Sequence, residues 1–265
     1  MKEESVSVKQ GKKALFYLIV QYQTDKIEAE RTIQMGNGNR GNTMIIKNGL
    51  VFTPEGKFEK KDFYIEGEYV AKETTDNKEV EAEGCYVIPG LVDIHFHGCV
   101  RHDMCDGTEE SIQALADYEA ANGVLAICPA TMTIPEEELF QAMNAAREHK
   151  NGKGADLVGI NMEGPFVNKE KKGAQKEEDI KLADVELFHK LQEAAGGLIK
   201  LVDLAPETEG AMDFINQVKD EVHVSIAHTM ADYDTASEAI RRGADHITHL
   251  YNAMPPLNHR EPGVI

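Results

Sequence analysis

The chain has 265 residues, of which 42% are apolar, and its 46 acidic side chains outnumber 28 basic ones for a net charge of −18. That length suits one large domain or a barrel with a small satellite, and the acidic excess argues against nucleic acid or an anionic membrane as a general partner. Aromatic residues are 6% of the chain and Trp is absent, which argues against an extended stacking surface for bases or sugars.

Residues 1–43 differ in texture from the rest. A charged start leads into the apolar run 14–20 (ALFYLIV) and then into the Gly/Asn-rich stretch MGNGNRGNT. The run is too short to span a bilayer, and no convincing small-residue cleavage site follows it. The expectation is that residues 1–43 are an extension outside the fold, with the natural start at or near Met44. Residues 44–87 then read as part of a small β domain. MIIKNGLVFT, KKDFYIEGEYV and GCYVIPG are β-branched or aromatic runs separated by turn residues.

From residue 88 the pattern becomes a regular β-α alternation. GLVDIHFHG (90–98) is a strand, and 108–122 a helix with Thr108 as N-cap. VLAICPAT (124–131) is followed by a helix at 135–149, with Pro135 suited to its start. DLVGINMEG (156–164) precedes a helix at 184–195 closed by Gly196-Gly197. LIKLVDLAPE (198–207), a helix at 209–219, HVSIAHT (223–229), a helix at 233–242 and HITHLYN (246–252) complete the series. Near-continuous apolar strands alternating with helices mark a buried parallel sheet. Eight strands close a barrel and six are read here. The expected fold is therefore α/β: an incomplete TIM-type (β/α)8 barrel over 88–265, with two further β-α units expected beyond Ile265. The four cysteines, Cys85, Cys99, Cys105 and Cys128, contain no C-x-x-C pair. They do not read as a disulfide framework, so a reducing cytoplasm is expected.

The strongest chemical signal is Asp93-Ile94-His95-Phe96-His97-Gly98. Residues two apart in a strand share a face, so His95 and His97, with Asp93, are expected to point into the barrel. A pair of core histidines is the plainer alternative. Two imidazoles before a Gly turn at a strand's C-terminal end favour a metal site. Glu163 closes the third strand in NMEGP, His228 the fifth in SIAHT and His249 the sixth in HITHL. Four histidines and one carboxylate projecting from one end of four strands suit a divalent cation. Lys171-Lys172, in the loop after Glu163, would bias the mouth toward an anion.

The segments PGLVDIHFHG, NMEGPFVNKEKKGAQ, SIAHT and THLYNAMPPLNHREPG together resemble the N-acetylglucosamine-6-phosphate deacetylases of the amidohydrolase superfamily, over about residues 44–265. The resemblance implies hydrolysis of N-acetyl-D-glucosamine 6-phosphate to D-glucosamine 6-phosphate and acetate by a cytoplasmic homodimer, with one or two divalent ions. Zn2+ is expected, with Fe2+, Mn2+ or Co2+ as alternatives. It implies Glu163, His228 and His249 as primary ligands and His95 and His97 as the pair that some members use for a second ion. It implies that Ala174, Gln175, Asn252, Ala253 and Arg260 hold substrate, the arginine on phosphate and in some members across a subunit boundary. The family's general base, an Asp after a later strand, has no match in these residues. Two other readings stay open: another amidohydrolase, such as a cyclic amidase or deaminase, and a catalytically incomplete chain that only binds metal.

Overall fold

The structure is a computed structural model that describes residues 17–21, 44–66, 69–74 and 78–265. The chain divides into two compact units, residues 1–91 with 121–125, and residues 92–120 with 126–265.

The first unit is built on a mixed sheet. Its strands are β1 (Tyr17–Gln21), β2 (Met44–Phe52), β3 (Phe58–Glu66), β4 (Tyr69–Ala71), β5 (Glu79–Glu81) and β6 (Cys85–Pro89). The order is β1-β6-β2-β3-β4, with β5 paired to β2. Met44, Ile46, Val51, Phe63, Ile65 and Val87 form its buried core. Along β2 the buried set runs Met44, Ile46 and then Val51, a change of phase. The cause is the register shift between Ile46 and Gly49, where Asn48 adopts φ 60°. An extra residue there returns the apolar side chains to the core face. Part of the leading segment that was expected to lie outside the fold belongs to this sheet: β1 pairs antiparallel with β6, Tyr17 opposite Pro89. The remainder of the expectation for residues 1–43 lies outside the described residues.

The second unit is a partial β/α barrel. After β7 (Leu91–Asp93) come the short hairpin β8 (Gly98–Cys99) and β9 (His102–Asp103), then α1 (Glu109–Ala121) and β10 (Val124–Ile127). α2 (Glu136–Glu148), β11 (Asp156–Leu157), β12 (Ile160–Met162), α3 (Val185–Ala194), β13 (Ile199–Leu204), α4 (Ala211–Val218), β14 (His223–Ile226), α5 (Tyr233–Arg242) and β15 (His246–Ile247) follow. β10 pairs parallel with β11, a parallel bridge joins Ala130 to Asn161, and β12-β13-β14-β15 form a parallel sheet in that order. Cys128 N–H donates to the Asp93 carbonyl at 2.7 Å. Six strand positions thus lie side by side in sequence order. Phe166, Phe188 and Phe214 are fully buried and stack edge to face, centroids 5.3 and 5.7 Å apart, pinning α3 and α4.

Helix starts follow their caps. Thr108 Oγ1 accepts from Ser111 N–H, Asp184 from Leu187 N–H and Asp232 from Thr235 N–H. Pro135 is the N-cap of α2 rather than its first helical residue. The expected strands are longer than those formed. β7 ends at Asp93, whose Oδ1 turns back to accept His95 N–H at 2.9 Å, so His95 and His97 lie beyond the ladder. β15 ends at Ile247 because His249 and Tyr251 adopt positive φ, which no ladder accommodates.

Candidate metal centre

Glu163 anchors the site. It follows β12, is 2% exposed, and its two carboxylate oxygens face different partners. His228 Nε2 lies 2.6 Å from Oε1 and Gln175 Nε2 donates to the same oxygen at 3.0 Å. His97 Nε2 and His95 Nε2 lie 3.1 and 3.4 Å from Oε2. His249 Nε2 stands 3.1 Å from His228 Nε2 and 3.7 Å from Glu163 Oε1. All five residues expected as ligands, His95, His97, Glu163, His228 and His249, therefore converge.

Burial by itself raises the Glu163 pKa, but the imidazoles of His228, His249 and His97 outweigh it and hold the carboxyl well below the usual range. The Glu163 carboxylate draws the His97 and His249 pKa values up against burial. Burial pushes His95 down, and His97 and His249 add to that effect against the pull of Glu163.

The orientation of each ring has a visible cause. A carbonyl can only accept, so the 2.7 Å contact of His228 Nδ1 with the Lys171 carbonyl places a proton on Nδ1, which in the neutral ring leaves the lone pair on Nε2. In that tautomer Nε2 faces the Glu163 carboxylate at 2.6 Å, and a lone pair against a carboxylate oxygen needs a positive charge, a proton or a cation, shared by the two. Asn161, two residues before Glu163 and fully buried, lies 2.9 Å through Nδ2 from His95 Nδ1 while its Oδ1 has no partner. With the amide turned about its axis, Oδ1 accepts the His95 Nδ1 proton and Nε2 is left bare toward Glu163. One ligand atom from each of His95, Glu163 and His249 lies within 4.8 Å of the others. Glu163 Oε2 is buried, with only the His97 and His95 Nε2 atoms beside it at 3.1 and 3.4 Å and no donor aligned on it. Bare imidazole nitrogens around an unsatisfied carboxylate oxygen fit a divalent cation.

Both His228 and His249 sit at positive φ, 43° and 34°, in the turns after β14 and β15, followed by Tyr251 at 79° and Ala253 at 54°. Strained backbone of this kind persists where the surroundings fix it, and it clusters at functional sites. Gly164, next to Glu163, has φ +78°, and a Cβ there would collide with Thr133 Oγ1. The Gly that follows the carboxylate is therefore required by the close approach of Thr133.

The residues expected to hold substrate divide into two groups. Asn252 N–H donates to the His249 carbonyl at 2.9 Å, and the Ala253 carbonyl accepts Thr229 N–H at 3.1 Å, so this turn is stitched to both histidine loops. Ala174 is exposed. Gln175 is 2% exposed and engaged at both ends, its Oε1 accepting Thr133 N–H at 2.5 Å. It therefore supports the carboxylate and offers no free amide to a ligand. Arg260 is exposed and makes no ion pair among the described residues. Asp93, expected on the same face as His95 and His97, instead caps His95 N–H. Sequence reading missed Asn161, although the strand alternation that places it with Glu163 was available. It also missed Asp203. That residue is fully buried on β13, accepts from Thr248 Oγ1 at 2.8 Å, and has a pKa pushed far up by burial and by Glu163.

The sequence matches the Amidohydrolase family over residues 86–262. It is 40% identical over 228 residues to the N-acetylglucosamine-6-phosphate deacetylase of Bacillus subtilis (strain 168), covering 83% of this chain and 56% of that protein. It is 31% identical over 231 residues to the N-acetylglucosamine-6-phosphate deacetylase of Lysinibacillus sphaericus, covering 84% of this chain and 60% of the relative. Among solved structures, the Mycobacterium smegmatis N-acetyl-D-glucosamine-6-phosphate deacetylase, a mutant in complex with N-acetyl-D-glucosamine-6-phosphate, superposes with a TM-score of 0.74 at 27% identity. That match covers 84% of this chain and 60% of the solved one. The chain thus spans somewhat over half the length of these three relatives.

Proposed function

The chain belongs to the amidohydrolase family, and from that premise we propose that the protein it forms deacetylates N-acetyl-D-glucosamine 6-phosphate, releasing D-glucosamine 6-phosphate and acetate. The observation that carries this reading is the convergence of four imidazoles on the buried Glu163 carboxylate. It occurs in a chain 40% identical to a protein with that activity. Glu163, His228 and His249 would hold a primary divalent ion and His95 and His97 a second. Zn2+ is the first choice for such nitrogen and oxygen donors, with Fe2+, Mn2+ or Co2+ compatible. When bound, a divalent ion of this kind acidifies water and polarises an amide carbonyl.

The chain's own residues would orient the ligands and hold the substrate. Gln175 and the imidazoles keep Glu163 ionised and fixed. The Lys171 carbonyl keeps the His228 proton on Nδ1. The 252–253 turn, tied to the His249 and Thr229 backbones, would present Asn252 and the Ala253 backbone to the sugar. Arg260, exposed and unpaired among the described residues, would supply a planar fork for phosphate, in its own subunit or in a homodimer partner. The acid that protonates the leaving amine is not assigned within this chain. We place the protein in the cytoplasm.

The test is acetate release from phosphorylated and unphosphorylated N-acetylglucosamine by the whole protein. Arg260→Ala is expected to raise KM for the 6-phosphate at least tenfold and to leave the unphosphorylated sugar nearly unchanged. Equal effects on both would refute the phosphate role, and no acetate release by the wild type would refute the activity.

A further inference from the structure

Glu207 ends the LAPE segment after β13 and has no place in the metal cluster, yet its carboxylate gathers three donors from two other loops. Asn168 Nδ2 donates to Oε1 at 2.8 Å and Met230 N–H to the same oxygen at 2.6 Å. Thr229 Oγ1 makes a short hydrogen bond to Oε2. Thr229 and Met230 are the two residues after His228, where the backbone leaves β14 through the His228 positive φ. The Asn168 arm reaches the same histidine by a second route. Asn168 N–H donates to the His228 carbonyl at 2.9 Å, and Asn168 Oδ1 accepts Glu170 N–H at 2.8 Å, capping the turn Lys169–Lys171. The Lys171 carbonyl at the end of that turn receives His228 Nδ1–H.

We propose that Glu207 is a positioning residue for the metal centre, closing a hydrogen-bonded circuit that fixes both the backbone and the ring of His228. The proposal rests on the reading of His228 as a metal ligand. One arm of the circuit holds the chain at residues 229–230 in the turn that carries the histidine. The other holds the turn whose carbonyl selects the ring tautomer. The same circuit extends to the 252–253 turn, because Thr229 N–H donates to the Ala253 carbonyl and Lys171 Nζ to the Met254 carbonyl at 3.2 Å. A hydrophobic or merely space-filling residue at 207 would leave Thr229 Oγ1, Met230 N–H and Asn168 Nδ2 without their common acceptor. Partners that orient a metal-bound imidazole are worth roughly 10–100-fold in metal affinity.

The experiment measures Zn2+ affinity by chelator competition and the visible absorption of the Co2+-loaded protein, for wild type, Glu207→Ala, Asn168→Ala, the double variant and His228→Ala. Glu207→Ala is expected to bind Zn2+ at least tenfold more weakly and to shift the Co2+ bands. Because both residues act through one circuit, the double variant is expected to lose little more than Glu207→Ala alone. Wild-type affinity and spectrum in Glu207→Ala, or fully additive losses, would overturn the proposal. Wild-type affinity in His228→Ala would overturn the ligand reading beneath it. Glu207→Gln guards against a variant that does not fold. Its amide offers one acceptor oxygen where two are needed, so an intermediate loss is expected, and wild-type behaviour overturns the proposal.

Discussion

Asn161 shows how a single uncharged side chain can orient an imidazole of the candidate metal centre. It is fully buried, lies 2.9 Å from His95 Nδ1, and carries an oxygen that is unsatisfied unless it accepts the ring proton. Asn161→Ala removes that acceptor and is expected to weaken metal binding roughly 10–100-fold. Asn161→Asp keeps an acceptor at the same place and is expected to retain most of the affinity. Isothermal titration of the metal-free protein separates the two, and equal losses would mean that the ring is oriented by something else. At this scale the cluster was legible in the sequence, because four His and one Glu stand at the ends of strands recognisable by composition. Their supports were not. Asn161 looks like an interior strand residue, and Gln175 looks like a loop residue free to touch a ligand. Only the packing shows that its amide is spent on Glu163 and the Thr133 backbone.

The helices were more legible than the strands. Tyr233–Arg242 forms over the expected residues because Asp232 caps its start and Gly243 ends it, both local signals. Strand ends depend on partners remote in sequence. The run 90–98 leaves the ladder at Asp93, and 246–252 leaves it at Ile247, because the turns that carry the clustered histidines interrupt both. Asn48-Gly49, a pair common in turns, instead marks the register shift in the middle of β2. Gly164 marks such a boundary after β12. Its φ of +78° disfavours any side chain by roughly 1–2 kcal/mol, and a Cβ would also meet Thr133. Gly164→Ala is expected to lower the urea-unfolding free energy of the metal-free protein by at least that amount and to weaken metal binding with it, since Glu163 is the adjoining residue. A variant as stable as wild type would show that the turn tolerates a side chain.

For the whole molecule, topology brings the site together. The parallel strands of the second unit lie in sequence order, so residues 95, 97, 163, 228 and 249, far apart in the chain, arrive at the same end of two sheets joined by the Ala130–Asn161 bridge. That logic was readable from the β-α alternation, because each crossover returns the chain to the same edge. The negative charge of −18 would repel a phosphosugar unless local cations offset it, which gives Lys171, Lys172 and Arg260 their interest. On the proposed function, His95, His97, Glu163, His228 and His249 form a metal centre. Anomalous X-ray diffraction at the zinc edge from crystals of the Zn2+-loaded protein tests it most directly. The expected result is a peak bounded by Glu163, His228 and His249, lost in Glu163→Gln. A peak elsewhere, for example at Cys99 or Cys105, with none among these five residues, would contradict it.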